Sequence, residues 1–219
     1  MVSPAQKTES PYYTNSRDDL TQMIPAAVRC MLDVGCGAGE FGKRMQSKLN
    51  AEVWGVEYVP DVAEIARKSL FKVFAGDAAV ILPTLPEGYF DLITFNDVLE
   101  HMVDPESVLS SARRLLSPDG VVLVSLPNLR HWNEFRRLLW NGEFEYADKG
   151  ILDRTHLRFF TAKSIPGFFR RAGYHITRMR GLNPTPSRSL KVVNFLTANK
   201  FRDCRFLQFA MIAKPLENL

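Results

Sequence analysis

Short apolar, β-branched runs alternate with amphipathic stretches along residues 28–127 of the chain. The runs have the length of strands, and the stretches between them have the apolar period of helices. Such alternation is typical of a parallel sheet that carries helices on both faces. It predicts strands at Cys30–Val34, Glu52–Glu57, Lys72–Ala75, Phe90–Phe95 and Val121–Leu126, with helices at Glu40–Leu49, Asp61–Leu70 and Pro105–Leu116.

The pattern changes after Pro127. Residues 128–160 mix aromatic and polar side chains, which predicts an insertion at the carboxyl edge of the sheet, where it could form a lid. Ser117-Pro118-Asp119-Gly120 predicts a turn before the fifth strand. The remaining elements are a helix from Thr161 or Ser164 to Ala172, a strand at Tyr174–Arg180, a helix at Leu190–Asn199 and a strand at Phe206–Lys214. No crossover helix of normal length joins the last two strands, so an antiparallel edge is expected.

Residues 1–27 are polar and contain three prolines, so they are expected to form an arm before a single domain at 28–219. Within this arm, Tyr12, Tyr13 and Arg17 could fold back over a site.

Composition places the chain among ordinary folded proteins, with 46% hydrophobic and 24% charged residues. Three scattered cysteines without a CxxC pair predict reduced thiols. No leader pattern and no apolar stretch long enough to span a bilayer is found, so a cytoplasmic protein without a membrane partner is expected. The net charge of +4 comes from dispersed pairs such as Arg113-Arg114, so no nucleic-acid partner is expected. The sequence leaves open whether the chain forms a homodimer.

A glycine-rich loop, Gly35-Cys36-Gly37-Ala38-Gly39, follows the first strand directly. Glycines there let the backbone turn tightly and approach a ligand at the start of the next helix. Residues 37–42 also fit GxGxxG, and Glu57 lies 20 residues after Gly37, as in a dinucleotide site. The loop begins with Gly35-x-Gly37-x-Gly39, a glycine order that favours S-adenosylmethionine (SAM) over NAD.

Acidic residues also favour SAM, because Asp33, Glu57 and Asp77 fall near the carboxyl ends of successive strands. Ligands of open α/β sheets bind at that edge. Glu57 can accept hydrogen bonds from two ribose hydroxyls and Asp77 from an adenine amino group. Negative potential suits a sulfonium cofactor and opposes a pyrophosphate.

Four segments resemble the successive motifs of class I SAM-dependent methyltransferases. They are Leu32-Asp33-Val34-Gly35-Cys36-Gly37-Ala38-Gly39, Gly76-Asp77-Ala78, Phe90-Asp91-Leu92-Ile93 and Leu116-Ser117-Pro118-Asp119-Gly120. More narrowly, residues 96–101, Pro127-Asn128, His131-Trp132 and residues 155–161 look like the MetW-type and ubiquinone-biosynthesis O-methyltransferases.

This resemblance implies a Rossmann-like α/β fold, with a seven-stranded, mostly parallel sheet whose last strand is antiparallel. It implies SAM as the cofactor and a small-molecule methyl acceptor. Its site residues carry over as Asp33, Gly35 and Gly37 at the methionine moiety, Glu57 at the ribose, Asp77 and Ala78 at the adenine, and Asn96 beside the methionine amino group. Cys36, Tyr58 and Asp97 flank these positions and are assigned to the cofactor site with them.

A hydroxyl acceptor would benefit from a general base, and histidine is the natural base near neutral pH. His101 and His156 are the first candidates, ahead of His131, while His175 lies within a strand. Asp97-x-x-Glu100-His101 resembles a magnesium-binding pattern of related methyltransferases, except that the pattern has glutamate at the first position. Helix-terminal carboxylates explain these residues without a metal, so none is expected.

The leading hypothesis is therefore methyl transfer from SAM to a small molecule, with a hydroxyl oxygen as the expected acceptor atom. A SAM-binding accessory protein of the MetW type is the alternative. An NAD-dependent oxidoreductase is the weaker one.

Overall fold

The computed structural model describes residues 17–216, which build a seven-stranded sheet. The strands are Cys30–Val34 (β1), Glu52–Glu57 (β2), Lys72–Ala75 (β3), Phe90–Asn96 (β4), Leu116–Pro127 (β5), Tyr174–Pro184 (β6) and Phe206–Pro215 (β7). Their order is β3-β2-β1-β4-β5-β7-β6. β7 runs antiparallel to both of its neighbours, whereas the pairs among β1 to β5 are parallel. The predicted sheet and its antiparallel strand are confirmed.

Helices connect these strands on both faces. The α-helices are Asp18–Thr21 (α1), Glu40–Leu49 (α2), Pro60–Ala66 (α3), Ala78–Ile81 (α4), Pro105–Ser111 (α5), Trp132–Asn141 (α6), Ile165–Arg171 (α7) and Arg188–Leu196 (α8). Short 3₁₀ turns lie at Leu82–Thr84, Leu99–His101, Ala112–Leu115 and Arg202–Arg205. Among residues 17–216, no helix combines the length and apolarity that a membrane crossing requires.

Alternating side chains of the central strands fill two hydrophobic layers. In β1, Leu32 and Val34 face the layer under α5 and α7, whereas Met31 faces the layer under α2 and α3. Leu20 and Met23, which precede β1, are buried in the second layer. Residues 17–27 thus pack on the domain, and Tyr12 and Tyr13 lie outside the described residues.

The turn predicted at residues 117–120 is wrong, because these residues are part of β5. Leu116 pairs with Phe90 and Val121 with Leu92, so the four residues between bulge out opposite a single residue of β4. The Ser117 hydroxyl donates to Asp91 at 2.9 Å and fixes the bulge. Proline and glycine interrupt regular pairing here without ending the strand.

Several helix bounds also differ from prediction. α3 ends at Ala66, and α5 tightens into a 3₁₀ turn after Ser111. α8 begins earlier, because Ser187 caps it by accepting from the Leu190 N–H at 3.2 Å. It ends earlier as well, because Ala198 and Asn199 adopt left-handed backbone angles. The sequence analysis predicted neither α4 nor α6.

Residues 128–160 leave the sheet at the end of β5 and return beside their starting point. Asn128 and Phe160 form a parallel bridge, and the Leu129 N–H donates to the Phe160 carbonyl at 2.9 Å. The segment contains α6 and is tied to the carboxyl edge of the sheet through His156 and its neighbours, as described below. Its function as a lid stays a prediction.

Candidate active site

The loop between β1 and α2 turns through left-handed glycines. Gly35 (φ +75°) and Gly39 (φ +86°) adopt backbone angles that residues with a Cβ rarely reach. A Cβ at Gly35 would also lie 2.7 Å from Cγ2 of Val98. The N–H groups of Gly35 and Cys36 donate to the Val56 carbonyl at 2.7 and 3.1 Å. The loop is therefore fixed against the end of β2, in a shape that only glycine allows at its start.

Cys36 directs its side chain into the protein. The thiol sulfur lies 2.6 Å from the position that a Cβ at Gly55 would take, so Cys36 fills the space left by that glycine. Burial raises the pKa of the Cys36 thiol well above its usual range. The cofactor contact predicted for Cys36 would have to use its backbone.

Glu57 ends β2 and joins the glycine loop to the start of α3. Its Oε2 accepts from the Gly37 N–H and its Oε1 from the Val59 N–H, both at 2.9 Å. The side chain is only 6% exposed, and burial raises its pKa although these backbone hydrogen bonds oppose the rise. Each carboxylate oxygen keeps another lone pair that a ribose hydroxyl could use. Tyr58, the next residue, is 72% exposed.

Asp33 lies beneath the loop, 2% exposed, and accepts from the Thr94 hydroxyl at 2.6 Å. Burial raises the pKa of Asp33 to about 7; the Thr94 hydrogen bond opposes this rise, whereas the Glu57 carboxylate adds to it. The protein therefore keeps a carboxyl group that is partly protonated near neutrality next to the loop. A cationic ligand would favour its ionised form.

Asp77 and Ala78 follow β3 at the same edge. The Asp77 side chain is exposed and accepts from the Ala79 N–H at 2.8 Å, which caps α4. Ala78 is buried. Because β3, β2 and β1 are adjacent, the structure brings Asp77, Glu57 and Asp33 to one edge as the sequence analysis expected. Their contacts with a cofactor remain predictions.

Asn96 ends β4, next to β1 at that edge. Its Oδ1 is buried and has no hydrogen-bond partner within residues 17–216. A buried acceptor without a partner is costly, so this atom is suited to an N–H donor from a ligand. The predicted position of Asn96 beside an amino group fits this observation.

Asp97 is surrounded by protein groups. Its carboxylate pairs with the Arg17 guanidinium and accepts from the Ser125 hydroxyl at 2.9 Å and the Gln208 amide at 3.1 Å. Arg17 is 7% exposed and also donates to Ser125 at 3.2 Å and to Gln208 at 3.3 Å. A cofactor contact by the Asp97 carboxylate, as predicted, would have to share it with these partners.

Arg17 is thus the residue by which the N-terminal segment reaches the ends of β4, β5 and β7. The sequence alone suggests that Arg17 could fold back over a site, but it does not place Arg17 among the predicted site residues. Nothing in the sequence pairs residue 17 with residue 97, because the contact depends on the complete sheet.

His101 and His156 come together from distant parts of the chain. Their ring centroids are 4.7 Å apart in an edge-to-face arrangement. His156 Nδ1 lies 2.9 Å from the Ile151 carbonyl, and His101 Nδ1 lies 3.3 Å from the Thr155 carbonyl. A carbonyl only accepts, and the Thr155 hydroxyl, 3.0 Å from His101 Nδ1, already donates to Asp153. These contacts favour the hydrogen on Nδ1 of each ring, which makes Nε2 the basic nitrogen. Burial and the neighbouring His156 lower the pKa of His101.

Glu100, 1% exposed, completes this cluster. Its backbone carbonyl accepts from the N–H groups of Leu157 and Arg158 at 2.8 and 3.0 Å, which fastens the insertion to the residues after β4. Its Oε2 is buried and has no hydrogen-bond partner within the described part of the chain. One ligand atom each from Glu100, His101 and His156 lies within 4.8 Å of the others, a spacing that a divalent cation could bridge.

The other two histidines are placed differently. His131 precedes α6, and its Nε2 lies 2.9 Å from the Thr185 hydroxyl. His175 is exposed in β6. The ranking of His101 and His156 above these two fits their positions, while a catalytic role stays a prediction.

Comparison with known proteins shows the family to which the chain belongs. A family profile described as a methyltransferase domain matches residues 12–178, which is most of the chain. The chain belongs to the class I SAM-dependent methyltransferases. This methyltransferase is an enzyme that uses SAM, so neither the NAD-dependent oxidoreductase nor the accessory protein is retained.

Curated relatives cover most of the methyltransferase. The ubiquinone biosynthesis O-methyltransferase of Ralstonia nicotianae is 30% identical over 201 residues, covering 85% of this chain and 82% of its own length. The enzyme of that name from Thiobacillus denitrificans is 31% identical over 173 residues, covering 74% of this chain and 71% of its own.

Solved structures show the same fold. A SAM-dependent methyltransferase from Archaeoglobus fulgidus superposes with a TM-score of 0.74 at 18% identity, covering 97% of this chain and all of its own. A SAM-dependent methyltransferase from Thermotoga maritima gives a TM-score of 0.65 at 19% identity, with 96% of both chains covered.

Proposed function

We propose that this methyltransferase transfers the methyl group of SAM to a hydroxyl oxygen of a small polar molecule, with His101 and His156 as proton acceptors. The observation that carries the proposal is the pairing of these two imidazoles, one shortly after β4 and one from the insertion, each with its Nδ1 facing a backbone carbonyl. The names of the curated relatives, which are O-methyltransferases, point to the same acceptor atom.

The proposed step is an in-line displacement. The acceptor oxygen attacks the methyl carbon, the carbon–sulfur bond breaks, and its electron pair stays on sulfur to give neutral S-adenosylhomocysteine. The hydroxyl proton passes to Nε2 of His101 or His156. Close positioning of the oxygen and the methyl carbon supplies much of the rate, and a positioned base typically adds 10²–10⁴-fold.

The cofactor would lie across the ends of β1 to β4. Glu57 would hold the ribose while keeping the loop closed at Gly37, and Asn96 would accept from the methionine amino group. Asp33 would supply negative charge from below. Within residues 17–216, Oδ1 of Asn96 has no hydrogen-bond partner, so its assignment needs no rearrangement of the backbone.

A labelled-methyl assay with cell extract and then purified hydroxylated acceptors tests the activity. His101→Ala and His156→Ala should lower turnover by roughly 10²-fold or more while calorimetry shows unchanged SAM binding. His175→Ala, an exposed strand histidine, is the matched control and should keep full turnover. Full turnover in both site variants would remove the histidines from the mechanism, and a product methylated only at nitrogen or carbon would refute the acceptor assignment.

One observation favours a second candidate, in which a divalent cation helps the same reaction. Among residues 17–216, Oε2 of Glu100 is buried and has no hydrogen-bond partner. One carboxylate oxygen of Glu100 lies within 4.8 Å of a ring nitrogen of His101 and of His156. Such a cation would be held by these three side chains and would supply Lewis-acid polarisation of the acceptor hydroxyl. The sequence analysis expected no metal, and it placed Asp97 in the pattern, whereas the structure pairs Asp97 with Arg17.

Chelation separates the two candidates. If a cation takes part, dialysis against a chelator should abolish turnover, and Mg²⁺, Mn²⁺ or Zn²⁺ should restore it in the parent but not in Glu100→Gln. Turnover that is insensitive to chelation assigns the histidines the role of bases without a metal.

A further inference from the structure

Helix α8 presents large apolar side chains to solvent. Phe195 is 86% exposed, Leu196 73% and Val192 58%, and the spacing of these residues places them on one face of the helix. The opposite face packs inward through Leu190, which is buried. Three large apolar residues on the outward face of a short helix form an exposed apolar patch. Such patches are typical of surfaces that contact a membrane or another molecule.

The segment of the chain that carries this face is strongly positive. Residues 185–205 contain five basic residues and one acidic residue, so the net charge of this segment, +4, equals the formal net charge of the whole chain. Arg188 and Lys191 lie on α8 itself, and both are exposed. The single acid, Asp203, pairs with Arg130 at 2.9 Å and is mostly covered. An apolar face with basic residues beside it on the same helix is typical of a helix that lies in the interface of an anionic bilayer.

A tryptophan adds to the same surface region. Trp140 of α6 is 65% exposed and its ring contacts Trp132, which donates to the Ser189 hydroxyl at the start of α8 at 3.0 Å. Tryptophan is enriched at the boundary between lipid and water. α8 follows the end of β6 and precedes the start of β7, so it lies at the carboxyl edge of the sheet, where the glycine loop lies.

We infer that the α8 face, defined by Val192, Phe195 and Leu196 with Arg188 and Lys191 beside it, docks on the surface of an anionic phospholipid membrane. The apolar side chains enter the headgroup region and the basic ones contact lipid phosphates. The sequence analysis expected no membrane partner because no segment can span a bilayer, but peripheral docking needs no spanning segment. The inference does not depend on the proposed acceptor.

Sedimentation with vesicles tests it on the full chain. Binding is expected to vesicles of phosphatidylcholine with one third phosphatidylglycerol, and to be much weaker with phosphatidylcholine alone. High salt should weaken it, because salt screens the attraction. Arg188→Gln with Lys191→Gln should lower the affinity roughly thirtyfold. Phe195→Glu should abolish binding, whereas Phe71→Glu, at a 62% exposed phenylalanine beside β3, should not.

Two outcomes would overturn the inference. Equal pelleting of the parent and Phe195→Glu with anionic vesicles would show that α8 is not the docking element, provided that circular dichroism shows both proteins folded. A concentration-dependent dimer that Phe195→Glu converts to monomer, without vesicle binding by the parent, would show that a second copy of the chain covers the face.

Discussion

Replacing Asp33 by asparagine should stabilise the enzyme, with an effect that depends on pH. Asp33 is 2% exposed, and its carboxylate accepts a hydrogen bond from the Thr94 hydroxyl at 2.6 Å. Burial raises its pKa from 3.8 to about 7. Asparagine has the same shape and still accepts from the Thr94 hydroxyl, but it never has to be buried as an anion.

The size of the expected change in the free energy of unfolding follows from the difference between the pKa of Asp33 in the folded and in the unfolded protein. Because the folded-state pKa is raised, the contribution of this group to stability is fully present below the unfolded-state pKa and is lost as pH rises through about 7. At about 1.4 kcal/mol for each pKa unit, the loss reaches roughly 4 kcal/mol above neutrality. Asp33→Asn should therefore unfold with a free energy about 2–4 kcal/mol higher at about pH 8, and the gain should shrink towards zero near pH 4.

Urea unfolding followed by tryptophan fluorescence at several pH values measures this difference. Asp91→Asn is the control of opposite sign. Burial raises the pKa of Asp91, but hydrogen bonds from the N–H groups of Arg29 and Cys30 and from the Ser117 hydroxyl outweigh it, so the pKa is lowered. Its contribution is present at neutral pH and lost on acidification, so Asp91→Asn should destabilise most near neutrality.

The reasoning about Asp33 is refuted if the free-energy gap between Asp33→Asn and the parent does not change with pH, or if the variant is the less stable protein above neutrality. The gain should also come with weaker SAM binding, because the variant lacks the negative charge beneath the glycine loop. Calorimetry with SAM at about pH 8 checks this second effect independently of unfolding.

Three further substitutions probe other features. Gly35→Ala should lower the unfolding midpoint by several degrees, because a Cβ there meets Val98 at 2.7 Å, whereas Gly88→Ala, also at a left-handed angle but with open space around it, should cost less. Glu57→Ala should weaken SAM binding by about 1–3 kcal/mol, and unchanged calorimetric affinity would contradict its ribose role. Tyr174→Phe should leave the free energy of unfolding unchanged or raise it by about 0.5–1 kcal/mol, because the Tyr174 hydroxyl is buried without a partner in the described residues.

The sequence predicts the central strands β1, β2 and β4 well because they are buried on both faces. Short apolar runs such as Cys30–Val34 and Val121–Leu126 are typical of strands in a parallel sheet that helices cover on both faces. The order of these strands along the chain limits the number of possible sheet topologies. α6 has a helical pattern, because apolar Trp132, Phe135 and Leu139 recur at helical spacing with Glu134 and Arg136 between them. It was missed because exposed aromatic residues such as Trp140 made the whole of residues 128–160 resemble an irregular insertion.

The candidate site also has a part that the sequence predicts and a part that it does not. The glycine loop and Glu57 are local to strand ends, so their spacing in the sequence carries the information. The contact of His101 with His156 and the pairing of Arg17 with Asp97 join residues far apart in the chain. Such contacts follow from tertiary packing, and a single sequence gives only the residue types that would make them useful.

The position of β7 has a consequence for how the chain acquires its structure. The edge of β5 that faces away from β4 pairs with β7, not with β6, which is the next strand in the sequence. Val122 of β5, for example, pairs with Ala213 of β7. β6 is made first, yet within the sheet it bonds only to β7. During synthesis, the N–H and C=O groups along this edge of β5 therefore stay unpaired until β7 emerges, and β6 has no neighbour in the sheet before then. Premature pairing of β5 with another nascent chain is the hazard that this topology creates, and the rate of translation through residues 128–205 sets how long it lasts.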